Sequence, residues 1–382
     1  MSIRYEKTAF ILTLLVLIGC RKPYDPPVVQ TDHQYLVVEG LINTGTDSTI
    51  IKLSRTVTLK SKSTVRPEMG AMVTVESDQN GSYPLTDAAN GNYVFPGLNL
   101  DKTLQYRLRI HTTDGNTYLT DFCTAKITQP IDSLEAIIKD DGIDIRLDTH
   151  DPTNTSRYYR WKYEENYRFH AYYDSYFMVV DNQVVSRPAD KDEYSCFGAD
   201  TSTTLILNTT TKLSQDVVYQ TPITFVPSTS EKIETTYSIH VTQYALTADA
   251  YNYYTQLEKN SQQLGSIFDA QPSELPSNIH CINNPSIPVI GYITAGTYSE
   301  KRIFLQNHDL PAWLPMTIYD TYGQHGCEYL TQGVSKPADI VWWNQGTPPF
   351  YTPTVKPEAW AATICVDCTL RGTKAPPPFW PK

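Results

Sequence analysis

Two things are scarce in this 382-residue chain: long apolar runs and clustered positive charge. The one sustained apolar stretch, Thr8 to Ile18, falls well short of the roughly 20 residues that a helix needs to cross a bilayer. Lys and Arg total 31 against 41 Asp and Glu, a formal net charge of -10, and no basic run interrupts that excess. Binding to nucleic acid, or electrostatic adhesion to anionic lipid, depends on clustered cations, so both are excluded as partners. Sustained helical periodicity is also rare. Motifs of hydrolytic and phosphate chemistry are missing as well: no G-x-S-x-G, S-x-x-K, H-E-x-x-H or P-loop pattern occurs. The eight histidines are scattered.

What is present begins at the N-terminus. Arg4 and Lys7 precede the apolar stretch, and Leu17-Ile18-Gly19-Cys20 closes it. The tetrapeptide resembles the bacterial lipobox, which makes residues 1–19 a lipoprotein signal peptide and Cys20 the lipidated, palmitate-bearing N-terminus of the mature chain. Acyl chains at about 0.8 kcal/mol per buried methylene make such an anchor durable. Residues 20–34, with Pro23, Pro26 and Pro27, read as a stiff Pro-rich tether. Arg21 rather than Asp follows the cysteine, so outer membrane is the expected location, with the leaflet open.

Setting Cys20 apart leaves Cys123, Cys196, Cys281, Cys327, Cys365 and Cys368, an even set in a chain read as exported. Disulfides are therefore expected, with connectivity not fixed by spacing. The preferred arrangement ties Cys365 and Cys368 to the region of Cys281 and Cys327. A zinc site built from Cys365-x-x-Cys368 with His280-Cys281 and His325-Gly326-Cys327 is the weaker alternative, because thiolates are normally oxidised outside the cytosol. No metal and no cofactor are expected.

The mature chain reads as mainly β, in two β-sandwich domains of immunoglobulin or fibronectin-like type. In residues 35–128, Leu36 to Ile42, Ile50 to Leu59, Ala71 to Glu76, Gly91 to Phe95, Leu104 to His111 and Tyr118 to Thr124 are strand-sized. Turns rich in Asn, Asp and Gly, such as Asp78 to Gly81 and Asp114 to Asn116, separate them. Residues 131–382 form a second β-rich domain, opening with a hairpin about Asp140-Asp141-Gly142. Asp140, Asp141, Asp144, Asp148 and Asp151 match no calcium-loop spacing, and several sit where turns favour Asp.

Period two is clearest from Tyr159 to Tyr173. Tyr159, Trp161, Tyr163, Tyr167 and Phe169 share one face, and Arg160, Lys162, Glu164, Arg168 and His170 the other. An aromatic face of this kind is expected to be core; if exposed, Trp161, Tyr163, Tyr167 and Phe169 become the candidate ligand-facing aromatics. The period then changes. Thr247 can cap a helix over about 248–264 that carries Ala250, Tyr254, Leu257, Ser261 and Leu264 on one stripe, with Gly265 as the stop. Tyr251, Glu258 and Lys259 are expected to point outward. The remainder is an irregular tail, dense in Pro and Trp, that disulfides would hold.

Several stretches in sequence order resemble the Bacteroidota lipoproteins grouped as domain of unknown function 4249. They are the lipobox with Pro23-Tyr24-Asp25-Pro26-Pro27, Leu36 to Ile42, Gly265 to Asp269, Pro288 to Tyr292, and Cys365-Val366-Asp367-Cys368 with Arg371-Gly372 and Phe379-Trp380. The resemblance implies an outer-membrane lipoprotein encoded beside TonB-dependent receptors. The expectation is then a non-catalytic accessory or ligand-binding module, partnered by a TonB-dependent β-barrel receptor, with a small-molecule or glycan ligand of unspecified identity. The alternative is a surface hydrolase whose pocket would carry two carboxylates or a nucleophile beside histidine. Asp47-Ser48-Thr49 and Asp132-Ser133-Leu134 resemble the O-glycosylation motif of the same bacteria.

Overall fold

Alternation decides the first layer. In the strand Leu36–Asn43, Leu36, Val38 and Ile42 are buried while Glu39 is exposed, and in Thr49–Arg55 it is Ile51 and Leu53 that turn inward. The two strands pair antiparallel from Leu36 opposite Arg55 to Leu41 opposite Ile50. Asn80, Ala89 and Asn90 all have positive φ, the conformation that the turn residues of this region tolerate.

A computed structural model describes residues 34–57, 65–174, 177–181, 183–262, 275–313, 340–342, 360–362 and 365–381. The signal peptide, Cys20, the tether up to residue 33, Gly265 to Asp269, and His325 with Cys327 lie outside the described residues. The fold is mainly β, with its sheets in a sandwich or near-barrel arrangement.

The expected boundary between residues 35–128 and 131–382 is not where the first layer ends. Its sheet runs Ile279–Cys281, Thr117–Thr120, Gln105–His111, Cys123–Lys126, Thr294–Gly296, Leu36–Asn43, Thr49–Arg55, Asn92–Phe95, Thr86–Asp87. Two of these strands come from beyond the helix. Thr294–Gly296 is the seam: it pairs parallel with Leu41 to Asn43 on one side and with Ala125 and Lys126 on the other. The core inside joins Val38, Ile51, Leu53, Val73, Tyr93, Leu108 and Ile110 to Ile279 and Ile293. This closure is not legible in the sequence, since a three-residue parallel strand leaves almost no periodic trace.

The second core lies between two sheets. Ile131–Lys139, Gly142–Asp151 and Asp216–Pro227 form one, with the expected hairpin closing Lys139 against Gly142. The other runs Ser195–Thr201, Tyr158–His170, Thr236–Ala245, Tyr298–Gln306, with Ile206–Thr209 also paired to Tyr158–His170. Ile143, Ile145 and Leu147 from the first sheet meet Tyr159, Trp161, Tyr237, Ile239 and Val241 from the second.

Tyr158–His170 is a single strand of 13 residues, paired along its length with Thr236–Ala245. Its aromatic face is core. Trp161 is 1% exposed with Tyr163 and Tyr167 half-buried against its cluster, and Phe169, also 1% exposed, packs in the neighbouring cluster with Ala171, Cys196 and Cys368. The Trp161 indole N–H donates to Gln243 Oε1 at 2.8 Å, which satisfies the polar edge that burial would otherwise strand.

The helix spans Ala248–Gln262 and is the only α-helix among the described residues. Thr247 caps it, its Oγ1 accepting the Ala250 N–H at 3.2 Å. Tyr253, outside the expected stripe, is its most buried aromatic, and Tyr251 is not outward: its ring meets Tyr158 with centroids 5.1 Å apart.

Cys368 departs from the expected tie to the region of Cys281 and Cys327. Cys368 is bonded to Cys196, 172 residues earlier in the chain, and Cys365 is also disulfide-bonded. Cys281 is a buried free thiol in the first layer, and Cys123 is free as well, so neither ties down the tail. Thr373 exchanges two backbone hydrogen bonds with Phe197, and Trp380 packs edge-on against Phe197 and Phe304.

Candidate functional site

The outward face of the Tyr158–His170 sheet carries the residues that alternate with the aromatics. Cross-strand register sets them in rows: Arg160, Tyr244 and Tyr298; then Lys162, Thr242 and Glu300; then Glu164, His240 and Arg302. The tail covers one end of this face, where the Phe379 ring lies 3.6 Å from the Arg302 guanidinium carbon. The opposite end is open and faces the outer side of Leu36–Asn43 and Thr49–Arg55, with the helix along its margin.

Between them is a cleft of about 780 Å³, within the roughly 300–1,000 Å³ range of small-ligand sites. The first layer contributes Glu39, Ile50, Lys52 and Tyr292, the helix Tyr253, Tyr254 and Leu257, and the second sheet Arg160, Lys162, Tyr244, Tyr298 and Glu300. Gly291 lets the wall come this close: at φ +131°, a Cβ there would stand 2.1 Å from the Val38 carbonyl oxygen.

Tyrosine rings and cations are interleaved. The Arg160 guanidinium carbon lies 4.3 Å from the Tyr254 centroid and 5.4 Å from that of Tyr244, and Lys162 Nζ is 5.7 Å from Tyr244. Tyr253 packs on Tyr292 with centroids 5.1 Å apart. Burial, then the neighbouring Tyr254, pushes the Tyr253 hydroxyl up to about 12. Tyr292 and Tyr298 are likewise pushed up to about 12, in each case chiefly by burial. All three stay neutral at physiological pH and serve as hydroxyl donors and acceptors. Glu300 accepts from Thr242 Oγ1 at 3.2 Å and stands 3.6 Å from His240 Nε2, whose titration burial lowers. Glu39 is the register partner of Lys52.

The sequence-predicted sites are dispersed. Cys196 and Cys368 join the tail to the second layer, whereas Cys123 and Cys281 lie in the first. Burial, then Asp121, raises the Cys123 thiol to about 12, so it is unreactive. His280 is exposed and Cys281 buried on the same strand, so they point to opposite faces and cannot share a metal. Among the described residues no group of three or more His, Cys, Asp or Glu side chains is placed to hold a metal ion. The hairpin aspartates are separately engaged: Asp144 with Lys139 and Arg146, Asp148 with Ser133 and the Gln220 N–H, and Asp151 with the turn that follows it. Ser48 is exposed at the cleft, while Ser133 donates its hydroxyl to Asp148.

Of the cleft residues, Arg160 and Lys162 were visible in sequence as part of the charged half of the Tyr159 to Tyr173 alternation. Nothing local distinguished Arg160 and Lys162 from a solvated face. Only the register with Thr236–Ala245 and Tyr298–Gln306 brings Tyr244 and Tyr298 beside them.

The family described as "Domain of unknown function (DUF4249)" matches residues 21–302. The chain belongs to this family. The DUF4249 region takes in the first layer, the helix, and most of the second layer, so all of the cleft lining named above lies inside it. The disulfide partner Cys368 and the tail around it lie beyond it. No curated protein matches the chain in sequence. Among solved structures, the chicken interferon gamma receptor alpha chain is similar at 10% identity and a TM-score of 0.16, over 54% of this chain and 87% of that one. A likeness that weak carries no argument about function.

Proposed function

We propose that this DUF4249 protein is a non-catalytic ligand-binding lipoprotein. In this reading Cys20 anchors it to the outer membrane, and two immunoglobulin- or fibronectin-like sandwiches present the cleft to ligand beside a TonB-dependent β-barrel receptor. The observation that carries the proposal is the cleft. It is open, lined by tyrosines and by Lys52, Arg160 and Lys162, none of which makes an ion pair among the described residues, and no cysteine or histidine is among its described lining. Extraction of the native protein in mild detergent, followed by affinity capture, is expected to return a β-barrel receptor. Intact mass is expected to show residues 1–19 removed and acyl chains on Cys20. Capture of the lipoprotein without any barrel would end the receptor part of the proposal.

A second reading, a surface glycoside hydrolase, rests on Glu39 and Glu300, which line the same cleft. It requires that a glycan be cleaved by the wild-type chain and left intact by the Glu39→Gln, Glu300→Gln double variant. Engagement of Glu300 by Thr242 and His240 favours the binding role.

A further inference from the structure

The central strands of the cleft walls have no free edge. Leu36–Asn43 is paired by Thr49–Arg55 on one side and by Ile290–Gly291 and Thr294–Gly296 on the other. Arg160 is flanked in register by Leu207 and Tyr244, and Thr236–Ala245 is paired on both sides. An extended peptide that binds by adding a strand finds no backbone to pair with at these central strands, which leaves Tyr298–Gln306 as the edge strand that lines the cleft among the described residues. Arg160, flanked on both sides, can engage a ligand only through its side chain.

Those side chains are unspent. Arg160 and Lys162 make no ion pair among the described residues, in a chain whose acids outnumber its bases by ten. Contact with the rings of Tyr244 and Tyr254 uses the face of the Arg160 group, and its N–H donors have no acceptor among the described residues. The hydroxyls of Tyr244, Tyr254 and Tyr298 also make no hydrogen bond among the described residues. Two adjacent cations call for an anion, and several uncommitted phenol groups on flat rings suit a ring rich in hydroxyls and C–H faces. Glu300 is engaged by Thr242 and stands 3.6 Å from His240, and neither Glu39 nor Glu300 makes an ion pair with Arg160 or Lys162 among the described residues.

Building on the reading of the cleft as a ligand site, we propose that its occupant is an acidic saccharide, with a uronate carboxylate held between Arg160 and Lys162. The sugar ring then lies against the tyrosines and its hydroxyls meet theirs.

Calorimetric titration of the full mature chain with a trimer of galacturonic acid, maltotriose and tri-aspartate tests this. The uronate trimer is expected to bind at least about tenfold more tightly than maltotriose, and Arg160→Gln or Lys162→Gln to weaken it by about tenfold more than they weaken maltotriose. Lys162 is exposed, so its variant isolates charge from folding. Equal binding of the uronate and the neutral trimer, with both lost in Tyr298→Ala, would overturn the acidic assignment but leave the cleft a ligand site. Tighter binding of tri-aspartate would replace a saccharide with an acidic peptide. Absence of binding by all three probes overturns the inference, and the receptor capture described above then judges the wider reading on its own.

Discussion

At the scale of single residues, Asp151 shows how a buried carboxylate is kept ionised. Burial alone would raise its proton affinity, but Thr153, Ser156 and Thr155 outweigh this by directing three backbone N–H groups and two hydroxyls at its oxygens, and hold it well below the usual carboxylate range. A depressed folded-state value means stability that is present above the unfolded carboxylate range, about pH 4, and lost as pH falls from there through the folded-state value. Asp151→Asn is therefore expected to lower stability at pH 7 by about 1–3 kcal/mol and to flatten the loss between about pH 5 and pH 2, read by urea unfolding across pH. Gly296 is decisive for a different reason. At φ +155° its missing Cβ would stand 2.2 Å from the Lys126 carbonyl oxygen, inside the seam of the first layer. Gly296→Ala is expected to cost about 2 kcal/mol or more, seen as a lower urea midpoint with an unchanged slope.

Among the elements, the helix was legible and the seam was not. Thr247 with Asp249 marked a start and the change of period marked a body, because both signals are local. Loss of the cap in Thr247→Ala should cost about 1 kcal/mol, and hydrogen exchange should rise first in residues 248–251 rather than in the sheets. Exchange rising equally in the strands would show that the cap does more than start the helix. The stripe was less well read: Tyr253 and Tyr251 bury against Tyr292 and Tyr158, partners that no helical wheel contains. The strand at Tyr158–His170 was legible in its alternation, but the useful half of that alternation was not. Charge along a strand looks solvated until another sheet is placed across from it. Ile279–Cys281 and Thr294–Gly296 escaped because their partners lie far back in the chain and their length is too short for a period to register.

For the whole molecule, the two cores are continuous through the chain rather than consecutive in it. The segment from Tyr35 to Lys382 forms one compact unit, in agreement with a first layer that is completed from the far side of the helix. A fragment of residues 35–128 is therefore expected to lack a cooperative unfolding transition and a dispersed amide spectrum, whereas residues 35–313 should show both. A folded 35–128 fragment would mean that the seam strand is dispensable.

The Thr294–Gly296 seam also sets a clock. Lys126 and its partner Gly296 are separated by 170 residues, which at roughly 5–20 residues per second means roughly ten to thirty seconds of synthesis between one edge of the joint and the strand that fills it. Throughout that interval the segments that become Leu36–Asn43 and Cys123–Lys126 lack the strand that joins them. A newborn chain thus passes through a period in which its first apolar segments are made but cannot yet close their sheet, and whatever shields them does so before the cleft exists.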